Sequence, residues 1–273
     1  MGVFYFIMDI QIVFSDVDGT LLDSRHRIQP ATLQAIHTLQ SRDIPFVIVS
    51  ARSPAGIRPI LEQYRFSCPM ICFSGALTLD EKGAVLDSRG FSPALAKQVI
   101  DYLEIGRYPC TWNLFSGERW LVRDPSHPLV QQEEAIVHTC SAVGDCRSLA
   151  PTGVVHKLLL MCPPGTLEET AAGLQAAFPG LSVVASSGKL LEVMDVGINK
   201  GRAVSALCER LGIPPASAAA FGDHWNDMEM LSVVGHPVLM ENAPKALRER
   251  FGFWTRSNDQ DGIAYGLKKL GIL

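Results

Sequence analysis

Short, almost wholly apolar runs that end in polar loops, separated by stretches of helical periodicity, constrain this chain more than any other feature. Residues 11–15 (QIVFS), 45–50 (PFVIVS) and 70–73 (MICF) each suit a strand buried on both faces. Between the first two, Leu33, Ala35, Ile36 and Leu39 recur at helical spacing behind Pro30, which suits a first turn. A second helix is predicted from about Pro54 to Tyr64. Strands alternating with helices at this pitch imply right-handed βαβ units and a parallel sheet covered on both faces. After Asn199 the alternation returns, with helices from Lys200 to Leu211 and Asp227 to Val233 and strands from Ala216 to Phe221 and His236 to Met240. Helices near Pro244 to Arg250 and Gly262 to Leu270 follow.

The middle of the chain reads differently. Leu77 to Leu79 and Ala84 to Leu86 flank Asp80-Glu81-Lys82-Gly83 as a hairpin. From about Phe91 to Asp195, helices at Pro93 to Leu103, Leu129 to His138 and Thr166 to Phe178 separate paired strands. Those strands are expected at Cys110 to Phe115, Arg119 to Val122, near Cys146, and at Val154 to Met161, Ser182 to Ala185 and Leu190 to Met194. The fold class predicted is α/β: a doubly wound, Rossmann-like parallel-sheet domain built from both ends of the chain, carrying an inserted α+β module. Residues 1–82 and 196–273 would form the core and 83–195 the insert.

A length of 273 residues admits two domains, and 47% apolar with 19% charged residues suits a packed globular chain. A net charge of −4 provides no broad field for nucleic acid or an anionic membrane, so neither is expected as a partner. An anionic substrate would have to be captured by local charges or a metal. Seven cysteines, odd in number and without C-x-x-C pairs, argue against a disulfide framework and a structural zinc site and predict a reduced, cytoplasmic protein. The apolar start is interrupted by Asp9 and Gln11, lacks a basic segment, and places Phe6 where myristoylation needs Ser or Thr. No leader and no membrane span are expected.

Candidate chemistry sits at predicted strand ends. Asp16 and Asp18, two apart and therefore on one side of an extended chain, follow the first strand. Ligands of open α/β sheets bind outside the carboxyl ends of the strands. Gly19 allows a sharp turn, and the Thr20 hydroxyl is expected to fix the loop through backbone hydrogen bonds. Ser50 ends the second strand and, with Ala51, offers a hydroxyl and backbone N–H groups to an anion. Lys200 opens the first helix after the insert, and Gly222-Asp223-His224-Trp225-Asn226-Asp227 ends the next strand. Asp-x-Asp-Gly-Thr alone is also an ordinary polar turn; the four elements together are far more specific.

In this order, DVDGT (Asp16 to Thr20), Ser50, Lys200 and GDHWND (Gly222 to Asp227) resemble the four motifs of the haloacid dehalogenase (HAD) superfamily. The insert resembles the C2-type cap of the Cof subfamily of sugar-phosphate phosphatases. SGALTLDEKG (Ser74 to Gly83) and SSGKLLEVMDVGINKG (Ser186 to Gly201) resemble the segments where that subfamily's chain enters and leaves the cap. The likeness runs from about Ile12 to the C-terminus. Three positions depart from the pattern: Ala51 where Gly is common, Ser74 in place of Asn, and the bulky Trp225 inside GDxxND.

The resemblance implies a phosphohydrolase that uses Mg²⁺ and a transient aspartyl phosphate on Asp16. Mg²⁺ prefers oxygen ligands, and the implied set is one Asp16 oxygen, the Asp18 main-chain carbonyl and Asp223. Asp18 would be the general acid and base. Ser50, Ala51, Lys200 and Asn226 would hold phosphate, with Asp227 and Thr20 in supporting positions. The implied partner is a small phosphorylated metabolite, with sugar phosphates first. A phosphomutase of the same fold and a catalytically weak sugar-phosphate-binding regulator are the alternatives.

Other residues have plainer readings. A hard, oxygen-preferring site disfavours His224 as a ligand. His156 and Lys157 read as surface or packing residues of the insert, and Lys245, Arg248 and Arg250 as a solvated helix face. Trp112 and Trp120 read as cross-strand packing in a hairpin.

Overall fold

The computed structural model describes residues 9–150 and 152–273. Residues 1–8, which include Phe6 and most of the stretch weighed as a leader, lie outside the described residues. In chain order the elements begin with β1 (Ile12–Ser15), α1 (Pro30–Ser41), β2 (Phe46–Val49), α2 (Pro54–Tyr64), β3 (Met70–Cys72), β4 (Leu77–Leu79) and β5 (Val85–Ser88). Next come α3 (Pro93–Ile105), β6 (Thr111–Ser116), β7 (Arg119–Val122), α4 (Pro128–Val137), β8 (Ala142–Val143), β9 (Lys157–Met161), α5 (Leu167–Ala177), β10 (Leu181–Ser187) and β11 (Leu190–Asp195). The chain closes with α6 (Lys200–Leu211), β12 (Ala218–Gly222), α7 (Met228–Val233), β13 (His236–Leu239), α8 (Lys245–Arg248) and α9 (Gly262–Lys269).

Two compact units result. The first holds the residues up to Ala51, Leu61–Leu86 and Asn199–Leu273; the second holds Arg52–Ile60 and Asp87–Ile198. In the first, a seven-stranded sheet has the order β13-β12-β1-β2-β3-β4-β5. The run from β13 to β3 is parallel, as the βα alternation predicts. The sheet is nevertheless mixed, because β4 pairs antiparallel with β3. Only one tight turn, Phe73–Gly75, precedes β4, and so short a return permits antiparallel pairing alone. That turn holds Phe73 at φ +50° and Ser74 at φ +55°.

All residues of β1 and β2 are buried, which suits their Val, Ile and Phe content. β12 reads Ala-Ala-Ala-Phe-Gly, a helix-favouring run made a strand by its surroundings. Ala218 and Ala220 pack in a core with Val204 and Leu207 of α6 and Met230 and Leu231 of α7, where larger side chains would push the helices away. α6 begins where the Asn199 side chain accepts the Arg202 N–H at 2.8 Å and ends at Gly212, φ +67°. Just before it, a Cβ on Gly75 (φ +110°) would lie 2.4 Å from the Asn199 carbonyl oxygen, so this close approach requires glycine.

The second unit carries a six-stranded sheet, β10-β11-β9-β6-β7-β8, antiparallel except for β7 with β8. Leu114, Leu121, Leu158, Leu160 and Leu191 share one face and pack with α3 and α5 residues such as Val99, Leu103 and Leu174. The strand expected near Cys146 is instead a single 3₁₀ turn, Cys146–Ser148, because the Asp145 carboxylate captures the Arg147 N–H at 2.8 Å. The short strand lies earlier, at β8. Trp112 and Trp120 do not pack on each other, since the strand alternation sends them to opposite faces. Trp112 joins the helix-covered core; Trp120 stacks on Phe115, ring centroids 5.4 Å apart, and its Nε1 donates to Asn113.

His156 and Lys157 are packing residues rather than surface ones. His156 Nδ1 accepts the Gly117 N–H at 3.0 Å, and Nε2 lies 3.1 Å from Ser88 Oγ. Burial lowers its pKa to about 4. Lys157 Nζ sits 3.4 Å from Glu192 and over the Phe115 ring. None of the seven cysteines is joined in a disulfide. Among the described residues no helix is long and apolar enough to cross a membrane.

Candidate active site

Strand β1 lies between β12 and β2, where the chain order of the parallel strands reverses, and open α/β sheets bind ligands at that point. Asp16 directly follows β1. Its N–H donates to the Phe221 carbonyl of β12 at 2.9 Å, extending the ladder by one residue and fixing the backbone that carries the carboxylate.

Lys200, the first residue of α6, joins two carboxylates. Its Nζ lies 2.5 Å from Asp16 Oδ1 and 2.6 Å from Asp227 Oδ1, with all three groups buried. Asp227 Oδ2 accepts the N–H groups of Asp223 at 2.9 Å and His224 at 3.0 Å, so this side chain shapes the loop that presents Asp223. Thr20 Oγ1 donates to Asp223 Oδ1 at 2.7 Å, a side-chain link where the sequence reading expected a backbone one. A Cβ on Gly19 (φ +83°) would lie 2.4 Å from Asp223 Oδ2, which makes glycine necessary for the two loops to meet.

Asp16, Thr20, Lys200, Asp223 and Asp227 thus form one bonded cluster. Ser50 is buried at the end of β2; its N–H donates to Ile71 O at 2.8 Å and its carbonyl accepts the Ser74 N–H at 2.9 Å. Ala51, partly buried, follows. Asp18 and Asn226 are exposed in the loops after β1 and β12. His224 is exposed as well. Trp225 lies beneath the Arg250 guanidinium, 5.3 Å from its ring centroid, and Arg248 stacks on Trp254 at 5.7 Å. The basic cluster at Lys245, Arg248 and Arg250 is therefore partly engaged with aromatic rings.

Three carboxylates face one ammonium here, a local excess of negative charge. Burial raises the Asp16 pKa well above the carboxylate range, against the opposing pull of Lys200. Burial likewise raises Asp223 to about 6, with the Thr20 bond opposing. For Lys200 burial disfavours the charge, but Asp16 and Asp227 more than offset it and hold the ammonium above its usual range. A cation would relieve this imbalance. Asp16, Asp223 and Asp227 each present an oxygen within 4.8 Å of the others, and an all-oxygen donor set fits a hard divalent cation such as Mg²⁺. The third ligand in the sequence reading is the Asp18 main-chain carbonyl rather than the Asp227 carboxylate; Asp227 already spends both oxygens on Lys200 and the loop backbone.

Sequence reading missed Asn242. Its Nδ2 donates to the Gly19 carbonyl at 2.8 Å and reaches Asp223 Oδ2 at 3.4 Å, while its Oδ1 accepts the Asn258 N–H at 3.1 Å. Asn258 Nδ2 in turn donates to Leu22 O at 2.9 Å. The available signal was position: a polar residue shortly after a parallel strand neighbouring β12.

Comparison with known proteins agrees with this geometry. A family model described as haloacid dehalogenase-like hydrolase matches residues 13–267. A Haemophilus influenzae protein named "Putative phosphatase" is 33% identical over 271 residues, covering 96% of this chain and 98% of the relative. A Cronobacter sakazakii HMP-PP phosphatase is 30% identical over 237 residues, covering 86% and 85%. Among solved structures, a Thermotoga maritima protein superposes with a TM-score of 0.87 at 25% identity, covering 95% of this chain and 97% of that one. A sugar phosphatase of HAD subclass IIB has the same fold, with a TM-score of 0.80 at 19% identity and coverage of 96% and 100%. With the motif regions lying at the carboxyl ends of the central parallel strands and at the start of α6, the chain belongs to the haloacid dehalogenase-like hydrolases and is a phosphatase of that family.

Proposed function

We propose that this phosphatase is a Mg²⁺-dependent phosphomonoesterase for small phosphorylated metabolites, sugar phosphates first, acting through an aspartyl phosphate on Asp16. The observation that carries the reading is the buried Lys200 ammonium bridging Asp16 and Asp227 with the Asp223 carboxylate alongside. A carboxylate attacking a phosphate dianion meets repulsion of roughly 4 kcal/mol per charge pair at about 4 Å in a medium of effective dielectric near 20. Bound Mg²⁺, held by Asp16, Asp223 and the Asp18 main-chain carbonyl, would supply the charge neutralisation that permits approach.

The residues then divide the work. Lys200 holds Asp16 Oδ1 and so orients the carboxylate for in-line attack on phosphorus by its other oxygen. Asp18, exposed to solvent in the same turn, gives a proton to the departing alkoxide and later takes one from the water that hydrolyses the acyl phosphate. Ser50, the backbone N–H groups near Ala51, Asn226 and Lys200 stabilise the equatorial oxygens. Asp227 and Thr20 hold Lys200 and Asp223 in place. The inserted unit is read as the C2-type cap that selects the substrate, with 83–195 as its extent. Seven cysteines without a disulfide suit a reducing, cytoplasmic setting.

Release of inorganic phosphate from a panel of phosphorylated metabolites, with Mg²⁺ and after verified metal removal, tests the reading. Turnover that survives metal removal rejects the cofactor. A requirement for a bisphosphate activator, with no net phosphate release, would favour the phosphomutase instead.

A further inference from the structure

We propose that Asn242 is a positioning residue for the cation site, acting as a bracket that sets the Asp223 carboxylate against the loop carrying Asp16. This rests on the Mg²⁺ reading above and deepens it.

The bracket has three arms. Asn242 Nδ2 donates to the Gly19 carbonyl at 2.8 Å, inside the loop that follows the nucleophile. The same amide nitrogen reaches Asp223 Oδ2 at 3.4 Å, the oxygen not taken by Thr20. Asn242 Oδ1 accepts the Asn258 N–H at 3.1 Å, and that bond fixes which end of the amide faces the carboxylate. With Oδ1 committed as acceptor, Nδ2 must point toward Gly19 and Asp223. Asn258 extends the tie by donating its own side chain to Leu22 O at 2.9 Å, so both halves of the turn after β1 are anchored to the bonded Asn242–Asn258 pair.

The chemistry favours an amide at this place. Asp223 has one oxygen bonded by a hydroxyl and the other approached by an amide, so both donors orient it without adding charge. A lysine or arginine here would neutralise the carboxylate and compete with a cation; an amide polarises the carboxylate and leaves its charge available. Groups that orient a metal-binding carboxylate in this way typically change metal affinity by about 10–100-fold when removed.

Titration calorimetry of Mg²⁺ and Mn²⁺ into the full chain, with melts of the metal-free protein alongside, tests the proposal. Asn242→Ala is expected to weaken both cations at least about tenfold while the metal-free melting temperature changes little. Asn242→Ser, polar but too short to span from Asn258 to Gly19, should weaken them similarly, and the Mn²⁺ magnetic-resonance line shape should broaden in both variants. Wild-type affinity in either folded variant, or a lower metal-free melting temperature with unchanged affinity, assigns Asn242 a purely structural role and overturns the proposal. Failure of both variants to fold makes it a folding determinant and overturns it too. If wild type binds no divalent cation, the cofactor reading fails together with this one; if wild type binds and the variants match it, this inference alone fails.

Discussion

Lys200 Nζ lies 2.5 Å from Asp16 Oδ1, although 184 positions separate the two residues in sequence. The pair is completed by Asp227 Oδ1 at 2.6 Å and is sealed from solvent, with Lys200 only 1% exposed. Such a group is weak evidence of stability in itself, because desolvation of the ions opposes their attraction. Its removal in part is another matter.

Lys200→Met should therefore destabilise the metal-free protein by about 3–5 kcal/mol, since two buried carboxylates lose their counter-charge. The folded pKa of Asp16, already raised by burial, would rise further once the Lys200 charge is gone. A carboxyl with a raised folded pKa contributes stability at low pH that is lost as pH rises. Urea midpoints for the variant should accordingly fall from pH 5 to pH 8 more steeply than for wild type.

Asp16→Asn keeps the shape of the proposed nucleophile and removes its charge. Turnover should drop by more than about 10³-fold, beyond the loss typical of a single charge-stabilising donor, while the fold persists. Steady-state phosphate release, with circular dichroism as the folding control, decides this. Wild-type turnover in the variant would exclude Asp16 as nucleophile.

Buried His156 predicts an acid-sensitive second unit. Its folded pKa of about 4 lies below the value of 6.5 for a solvated histidine, so the unfolded chain takes up the proton first. Stability is then lost as pH falls from about 6.5 through 4, by up to about 3 kcal/mol below that range. His156→Asn can still accept the Gly117 N–H and should flatten this acid limb, even if it lowers stability at neutral pH. Parallel acid limbs for variant and wild type would assign the sensitivity elsewhere.

Ser74 occupies a left-handed conformation, φ +55° and ψ +24°, that side chains other than glycine and asparagine adopt at a cost. This is the position where the family pattern has Asn. Ser74→Asn should raise stability by on the order of 0.5 kcal/mol without slowing turnover, as read from thermal melts and phosphate release. A lower melting temperature would show that the wider side chain is not accommodated in this half-buried turn.

The parallel strands and the four motif segments were legible in the sequence because each is local: an apolar run, a periodic stretch, or a short polar motif at its end. β1, α2, β7 and α6 fall at or within one residue of where the sequence puts them. What stayed hidden depends on partners distant in the chain. The Ala-rich β12 was still legible as an apolar run between turns, but the antiparallel pairing of β4 with β3, which makes the sheet mixed, was not. Thr20 was expected to bond backbone, since its partner Asp223 lies 203 positions away. Asn242 carries no motif of its own and is recognised only when β13 is seen beside β12.

The close approach of Gly75 to the Asn199 carbonyl sets a rule for building chimaeras of this enzyme. Everything between Leu86 and Ile198 belongs to the other compact unit, yet the residue after Asn199 is the lysine that holds Asp16. A donor insert grafted from a relative can vary in length and sequence only if the splice leaves both the glycine and the Asn199-Lys200 pair in the recipient. Shifting that seam by even one residue would move the ammonium around the helix by about 100° and take it away from the Asp16 carboxylate, whatever insert was chosen.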